Sequence, residues 1–270
     1  MSTDAFFTDD SMVRRVHREQ LVALGGGRTL LMQATHPVAF AGFFAHTGAL
    51  DEPYERLNRT AQVMDAIAFG PRAQAERLTR RVRAMHRRVR GVLGEPAGRF
   101  EAGTPYAADD PELLLWVLAC LVDSSLLAYE RYVARLSDDE RDAYWQDYRI
   151  IGGLFGLAGD EMPADYAGFR AYMDDMVAGD TLHVTPQARE LAVQIVMRPP
   201  VPLQVRPLLE LFNFVTVGLL PGRLRREFGF SWDPARAIAL HTGAEYTRRV
   251  VLPLLPRRVR LVSSARREAA

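Results

Sequence analysis

One stretch limits the architecture more than any other. The run Leu113-Leu-Leu-Trp-Val-Leu-Ala-Cys-Leu-Val122, continuing to about Arg135, is apolar on nearly every face. Asp110 before Pro111 is a strong helix start: an N-cap carboxylate followed by a residue whose missing N–H is not needed at the first helical position. A helix without a polar face must be enclosed by other elements, so it belongs in the middle of the fold. As a membrane span it is poor, because Asp123-Ser124-Ser125 breaks the roughly 20 apolar residues a bilayer requires. A carboxylate inside such a helix needs a donor. Arg56, Arg59 or a ring nitrogen of His86 could supply it; alternatively Asp123 caps or pairs elsewhere.

The flanking sequence reads as more helices. Residues 11–24 form an amphipathic helix closed by Gly25-Gly26-Gly27, taken as a flexible turn. Residues 28–44 are helical but interrupted at His36-Pro37, since proline removes a donor and disfavours helix for its predecessor. A kink there either opens room for a ligand beside His36 or is a core bend with a satisfied histidine. Residues 92–109 read as an irregular loop rich in glycine and proline. Ser137-Asp-Asp-Glu140 is a capping box, opening a helix with Tyr144, Trp145, Tyr148 and Ile151 on one stripe. Glycines 152, 153 and 156 would let another helix or a flat ligand approach it. Further helices start near Pro163, Pro186, Leu208 and Pro234, the last bearing His241 and Tyr246, and residues 257–270 read as a frayed, solvated basic tail. No strand-turn-strand spacing and no fixed-period repeat occurs. The expectation is one all-α domain over 1–270, an orthogonal multi-helical bundle of roughly ten helices.

Composition removes several functions. Hydrophobic residues at 48% support a large core, and a net charge of +1 gives no general pull toward nucleic acid. All 34 basic residues are arginine, which excludes Schiff-base lysine chemistry and a P-loop lysine. A single cysteine, Cys120, excludes an intrachain disulfide and covalent c-type haem attachment. His-Glu-x-x-His, Glu-x-x-His and Gly-x-Ser-x-Gly are all missing. The acidic N-terminus lacks the apolar run of a signal peptide, which points to a cytoplasmic location.

Residues 55–91 hold the chemistry that remains. Two helices are expected, 55–69 after Pro53 and 72–90 ending at Gly91. On the first, Arg56, Thr60, Val63 and Ile67 share a ridge. On the second, Leu78, Val82, Met85, Val89 and Leu93 bracket His86, with Arg83, Arg87, Arg88 and Arg90 nearby. An imidazole, apolar neighbours and guanidinium groups suit haem, which takes an axial nitrogen, apolar faces and partners for two propionates.

Arg56-x-x-x-Thr60 with a basic Arg59, followed by Met85-His86-Arg-Arg-Val-Arg-Gly91, resembles the family of the MpaB fungal oxygenases and the latex-clearing proteins, the rubber oxygenases. The resemblance extends over roughly residues 20–180, through Gln33-Ala-Thr-His36-Pro37, Tyr106-Ala-Ala-Asp-Asp-Pro111, Leu115-Trp116-Val117 and Gly153-Leu-Phe-Gly156. It implies an all-helical oxygenase holding non-covalent haem b, with His86 at the position of the proximal iron ligand. It also implies Arg56, Arg59 and Thr60 at the haem edge or the bound oxygen; Asp123 in its apolar helix and His36 at its kink, read from their own surroundings, are further candidates, His36 on the distal or substrate side. Dioxygen or peroxide and an apolar small molecule would be the reactants. Two departures stand out: Leu118 occupies a position where many relatives have histidine, and the acid credited with base catalysis in rubber oxygenases has no clear counterpart, so polyisoprene is not carried over. The competing reading is a non-catalytic helical protein that binds haem or an apolar ligand.

Overall fold

The structure, a computed structural model, describes residues 4–46, 53–199 and 202–268; within these, the side chains of 43–46, 53–57 and 267–268 are not described. The helices are α1 (Met12–His17), α2 (Gly26–Ala34), α3 (Pro37–His46), α4 (Pro53–Phe69) and α5 (Arg72–His86). After the strands β1 (Arg90–Val92) and β2 (Pro105–Ala107) come α6 (Pro111–Tyr132), α7 (Asp138–Phe155) and α8 (Tyr166–Ala178). They are followed by α9 (Pro186–Leu191), α10 (Arg206–Leu219), α11 (Gly222–Glu227) and α12 (Pro234–Tyr246). Short helical turns continue to Glu268. The fold is all-α apart from that one antiparallel hairpin.

As the sequence demands, α6 is central, packing against α2, α3, α7, α12 and the 3-10 turn Gln20–Gly25. The Asp110 carboxylate accepts from the Glu112 and Leu113 amides at 2.9 and 3.4 Å, the cap expected before Pro111. By length and hydropathy α6 could cross a membrane, but 67% of its most apolar window is buried inside the protein. Its Trp116, Cys120 and Val122 join Tyr144, Trp145, Tyr148 and Ile151 of α7 in the main core. The Ser137–Glu140 capping box closes reciprocally, at 3.2 and 2.9 Å.

Three readings are corrected. The glycine triplet is not a flexible turn: it runs from the 3-10 turn into α2 and lies against α6 and α10. A Cβ at Gly25 would stand 2.6 Å from the Ser124 carbonyl oxygen, and one at Gly27 would collide with Thr216. These positions are glycine for close helix packing. Secondly, α5 ends at His86, not at residue 90, because Arg90, Gly91 and Val92 leave the helix to pair with Ala107, Tyr106 and Pro105. A Cβ at Gly91 would meet the Tyr106 hydroxyl at 2.5 Å, so this glycine admits the tyrosine ring and is no helix stop. Thirdly, the tail docks. Val262 donates to the Arg18 carbonyl (2.9 Å), and Arg260 binds buried Glu19 through two hydrogen bonds of 2.7 and 2.8 Å.

Candidate functional site

α4 and α5 form a hairpin joined by Gly70-Pro71. The junction is pinned to the N-terminal segment, where the Arg72 amide donates to the Asp4 carbonyl at 2.7 Å. The C-terminal half of α4 turns Ala66, Ile67 and Ala68 into the core, with Val63 and Met64 packed against it. Farther toward its N-terminus the helix leaves the core: Arg59 and Thr60 are exposed. The ridge read from the sequence is therefore buried only at Ile67 and partly at Val63. Arg56 lies in α4, but its side chain falls outside the described residues.

α5 packs against α7. Ala75 and Thr79 are buried, the Thr79 hydroxyl donating back to the Ala75 carbonyl at 2.9 Å. Along the rest of the helix Leu78, Val82, Arg83 and His86 are half-buried. Met85, expected on the apolar stripe, is 51% exposed. The Nδ1 of His86 is shielded from solvent. Arg83, one turn earlier, runs past Gly156 on α7, and its buried Nε finds no hydrogen-bond partner among the described residues. Nearby, Arg90 binds Asp109 through two hydrogen bonds (2.9 and 2.8 Å), and Arg80 lies 3.5 Å from Glu76. Arg81, Arg83, Arg87 and Arg88 pair with no carboxylate among the described residues. The helix C-terminus therefore carries concentrated positive charge, favourable to the helix dipole and ready for an anion.

A cleft of about 420 Å³ opens along α5, lined by Arg81, Ala84, Met85, Arg88 and Val89. Its size falls in the range of about 300–1,000 Å³ typical of small-molecule sites. Successive helical residues project about 100° apart, so His86 stands beside this lining and Val82 beside His86, on the flank toward α7.

The other sequence candidates lie elsewhere. Asp123 meets neither α4 nor α5: its carboxylate takes Arg28 Nη2 at 2.5 Å and Arg170 Nη1 at 2.6 Å. Arg28 also donates to Ser124 Oγ and the Leu219 carbonyl, tying α2, α6 and α10 together. This is the alternative in which Asp123 pairs elsewhere. His36 sits at the break between α2 and α3, and its Nδ1 accepts the Ala39 amide at 3.2 Å. The imidazole thus caps α3 while stacking on Phe100 at 5.6 Å, and burial pushes its pKa down to about 4. It is the core bend with a satisfied histidine. Leu118 is buried, its side chain filling the space left by Gly152 on α7. Gly152 is further closed over by Met162 and Leu157, so no flat ligand enters there. Sequence reasoning missed a polar cluster in which His17 Nε2 lies 2.9 Å from the Tyr144 hydroxyl and 2.8 Å from that of Tyr148. The signal was present, since α1 places His17 one residue past Val16 of the core, but its partners are more than a hundred residues away.

What fold and site define together is an all-helical domain with an arginine-rich helical hairpin presenting one half-buried histidine. Residues 14–251 match the family described as ER-bound oxygenase mpaB/B′/rubber oxygenase, catalytic domain, and the chain belongs to that oxygenase family. Uncharacterized proteins of Mycobacterium tuberculosis and Mycobacterium bovis are each 26% identical over 185 residues, covering 68% of this chain and 69% of theirs. No solved structure matches.

Proposed function

We propose that the protein is a haem b-dependent oxygenase acting on an apolar small molecule with dioxygen or peroxide, its iron held by His86. The observation carrying this reading is the half-buried position of His86 at the arginine-rich end of α5, inside the matched oxygenase domain. The donor set fits. His86 offers one imidazole at a half-buried helix end, and haem iron takes a single protein nitrogen beside its macrocycle. Val82 and Val89 supply apolar flanks, and Arg83, with Arg81 and Arg88 of the cleft, offers guanidinium groups for carboxylates.

When bound, haem supplies the electron transfer that activates oxygen toward an unreactive carbon skeleton. The chain's own residues do the remainder. His86 would offer Nε2 to the iron, with Nδ1 shielded from solvent. Arg83 would hold a propionate and keep the ring against α7. Thr60 and Arg59 on α4 would orient water or a reactant oxygen by hydrogen bonding, and the Ala84–Met85–Val89 side of the cleft would take the apolar substrate.

The test is the absorption spectrum of protein expressed with a haem precursor, with iron quantified. A Soret band at one iron per chain, lost in His86→Ala while the fold is retained, is expected. Stable, colourless protein that takes up no added haemin would replace this reading with the non-catalytic one.

A further inference from the structure

The last quarter of the chain differs in charge and surface from the rest. Residues 198–270 hold 13 arginines against 5 carboxylates, a net of +8, whereas residues 1–197 hold 21 against 28, a net of −7. Apolar exposure follows the same division. Of 14 large hydrophobic side chains exposed among the described residues, 9 lie between positions 203 and 259. Leu203, Leu208 and Leu211 are 70%, 66% and 57% exposed, Ile238 66% and Leu254 78%. Leu208 and Leu211 continue the stripe of α10 formed by Val215 and Leu219. Leu240 and Ala244 of α12 belong to the cluster that buries Val215 and Leu219, while Leu208 and Leu211 stay uncovered. α12, packed beside α10, turns Ile238 and Tyr246 outward. Arg206, Arg257 and Arg258 of this quarter are exposed and pair with no carboxylate among the described residues, whereas exposed Arg249 pairs with Glu245 at 2.9 Å.

We propose that this surface, the N-terminal half of α10 with the outer face of α12, docks on an anionic lipid bilayer. Exposed leucines beside uncompensated arginines suit an interface where apolar side chains enter the acyl boundary and guanidinium groups meet phosphates. A second copy of the chain fits less well, because self-association would bring two arginine-rich surfaces together. Nucleic acid would use the arginines but leaves the leucines without purpose. Each arginine near an anionic membrane strengthens partitioning about fivefold, and each inserted leucine about tenfold or more. The inference does not depend on haem or on the oxygenase reaction.

The experiment is flotation of the full-length chain with vesicles of phosphatidylcholine alone or mixed with phosphatidylglycerol. Expected are flotation with the mixed vesicles only, its loss near 1 M salt, where the Debye length falls to about 3 Å, and at least a tenfold loss in L208E/L211E and in R257E/R258E. All four side chains are exposed, so both variants should keep the parent Tm, which is checked alongside. Equal flotation with neutral vesicles, or binding indifferent to both double substitutions, would overturn the proposal. A concentration-dependent dimer abolished by L208E/L211E, without flotation, would assign the surface to a second copy. Absence of flotation together with saturable binding to an acidic protein or to DNA would overturn it equally.

Discussion

Two groups of arginines in this chain, one around Asp123 and one along α4 and α5, are built in opposite ways. Between α2, α6, α8 and α10, Arg28 is almost wholly buried, and its Nε, Nη1 and Nη2 donate to the Leu219 carbonyl, Ser124 and Asp123. Along α4 and α5, Arg59, Arg81, Arg87 and Arg88 face solvent or an open cleft and meet no described carboxylate. A buried guanidinium has to be satisfied by the fold itself, so its neighbours are fixed. An exposed one leaves its hydrogen-bonding capacity for something that arrives later. Residue type alone does not separate the two groups; the degree of internal satisfaction does.

The sharpest test of that contrast is Arg28→Ala. It leaves the Asp123 carboxylate, 12% exposed, with Arg170 alone, and breaking a buried pair costs about 3–5 kcal/mol. Urea unfolding should show this as a lower midpoint at unchanged slope. A loss under about 1 kcal/mol would mean that the interior network is no better fixed than the hairpin arginines.

Acid should reveal the same rigidity. His36 has its pKa lowered from 6.5 to about 4 by burial, so as pH falls the unfolded chain takes up the proton first. The stability contributed by the neutral cap is complete above pH 6.5 and is lost as pH falls through 4, on the order of 3 kcal/mol for this group. His17, also lowered to about 4 by burial, adds to the same window. His36→Asn keeps an acceptor for the Ala39 amide without a titrating group, and should roughly halve the slope of unfolding free energy against pH between 6.5 and 4, leaving the share of His17. An unchanged slope would remove His36 from the acid response.

Gly25→Ala comes next, because the new methyl would face the backbone oxygen of Ser124 at 2.6 Å and backbone gives way least. A loss of about 1–3 kcal/mol is expected, read as a fall in Tm. Gly26→Ala, next to it in sequence, has nothing within 4 Å and is expected to be neutral or slightly stabilising through helix propensity. If both behaved alike, close packing of α2 on α6 would not be the reason for the triplet.

These residues also mark what could be read from the chain. The start and centrality of α6, the capping box at Ser137 and the break at His36-Pro37 were legible because each is signalled by neighbouring residues and the side chains act locally. The hairpin of β1 and β2 was not, since strands of three residues are too short to show alternation and Gly91 imitates a helix stop. Asp123 advertised its need for a donor, but Arg28 lies 95 positions away and nothing local distinguishes it from Arg56 or Arg59. For the site, the residue types on α4 and α5 were legible as a family pattern, while their exposure was not: a helical ridge shows which side chains share a face, not how far the core extends beneath it.

The smallest expected effect on stability is the most informative about function. Arg59 and Thr60 are exposed on the half of α4 that has left the core, so Arg59→Ala and Thr60→Val should each change unfolding free energy by less than about 0.5 kcal/mol. His86→Ala, at a half-buried helix end, should cost about 1 kcal/mol. If α4 and α5 serve a bound cofactor, the three substitutions nonetheless separate by spectrum. His86→Ala should abolish the Soret band, whereas Arg59→Ala and Thr60→Val should retain it with altered oxygen or peroxide reactivity. Were Thr60→Val instead to destabilise the fold by several kcal/mol with the spectrum untouched, α4 would belong with the satisfied interior, and the division between the two arginine-rich regions would fail at its functional end.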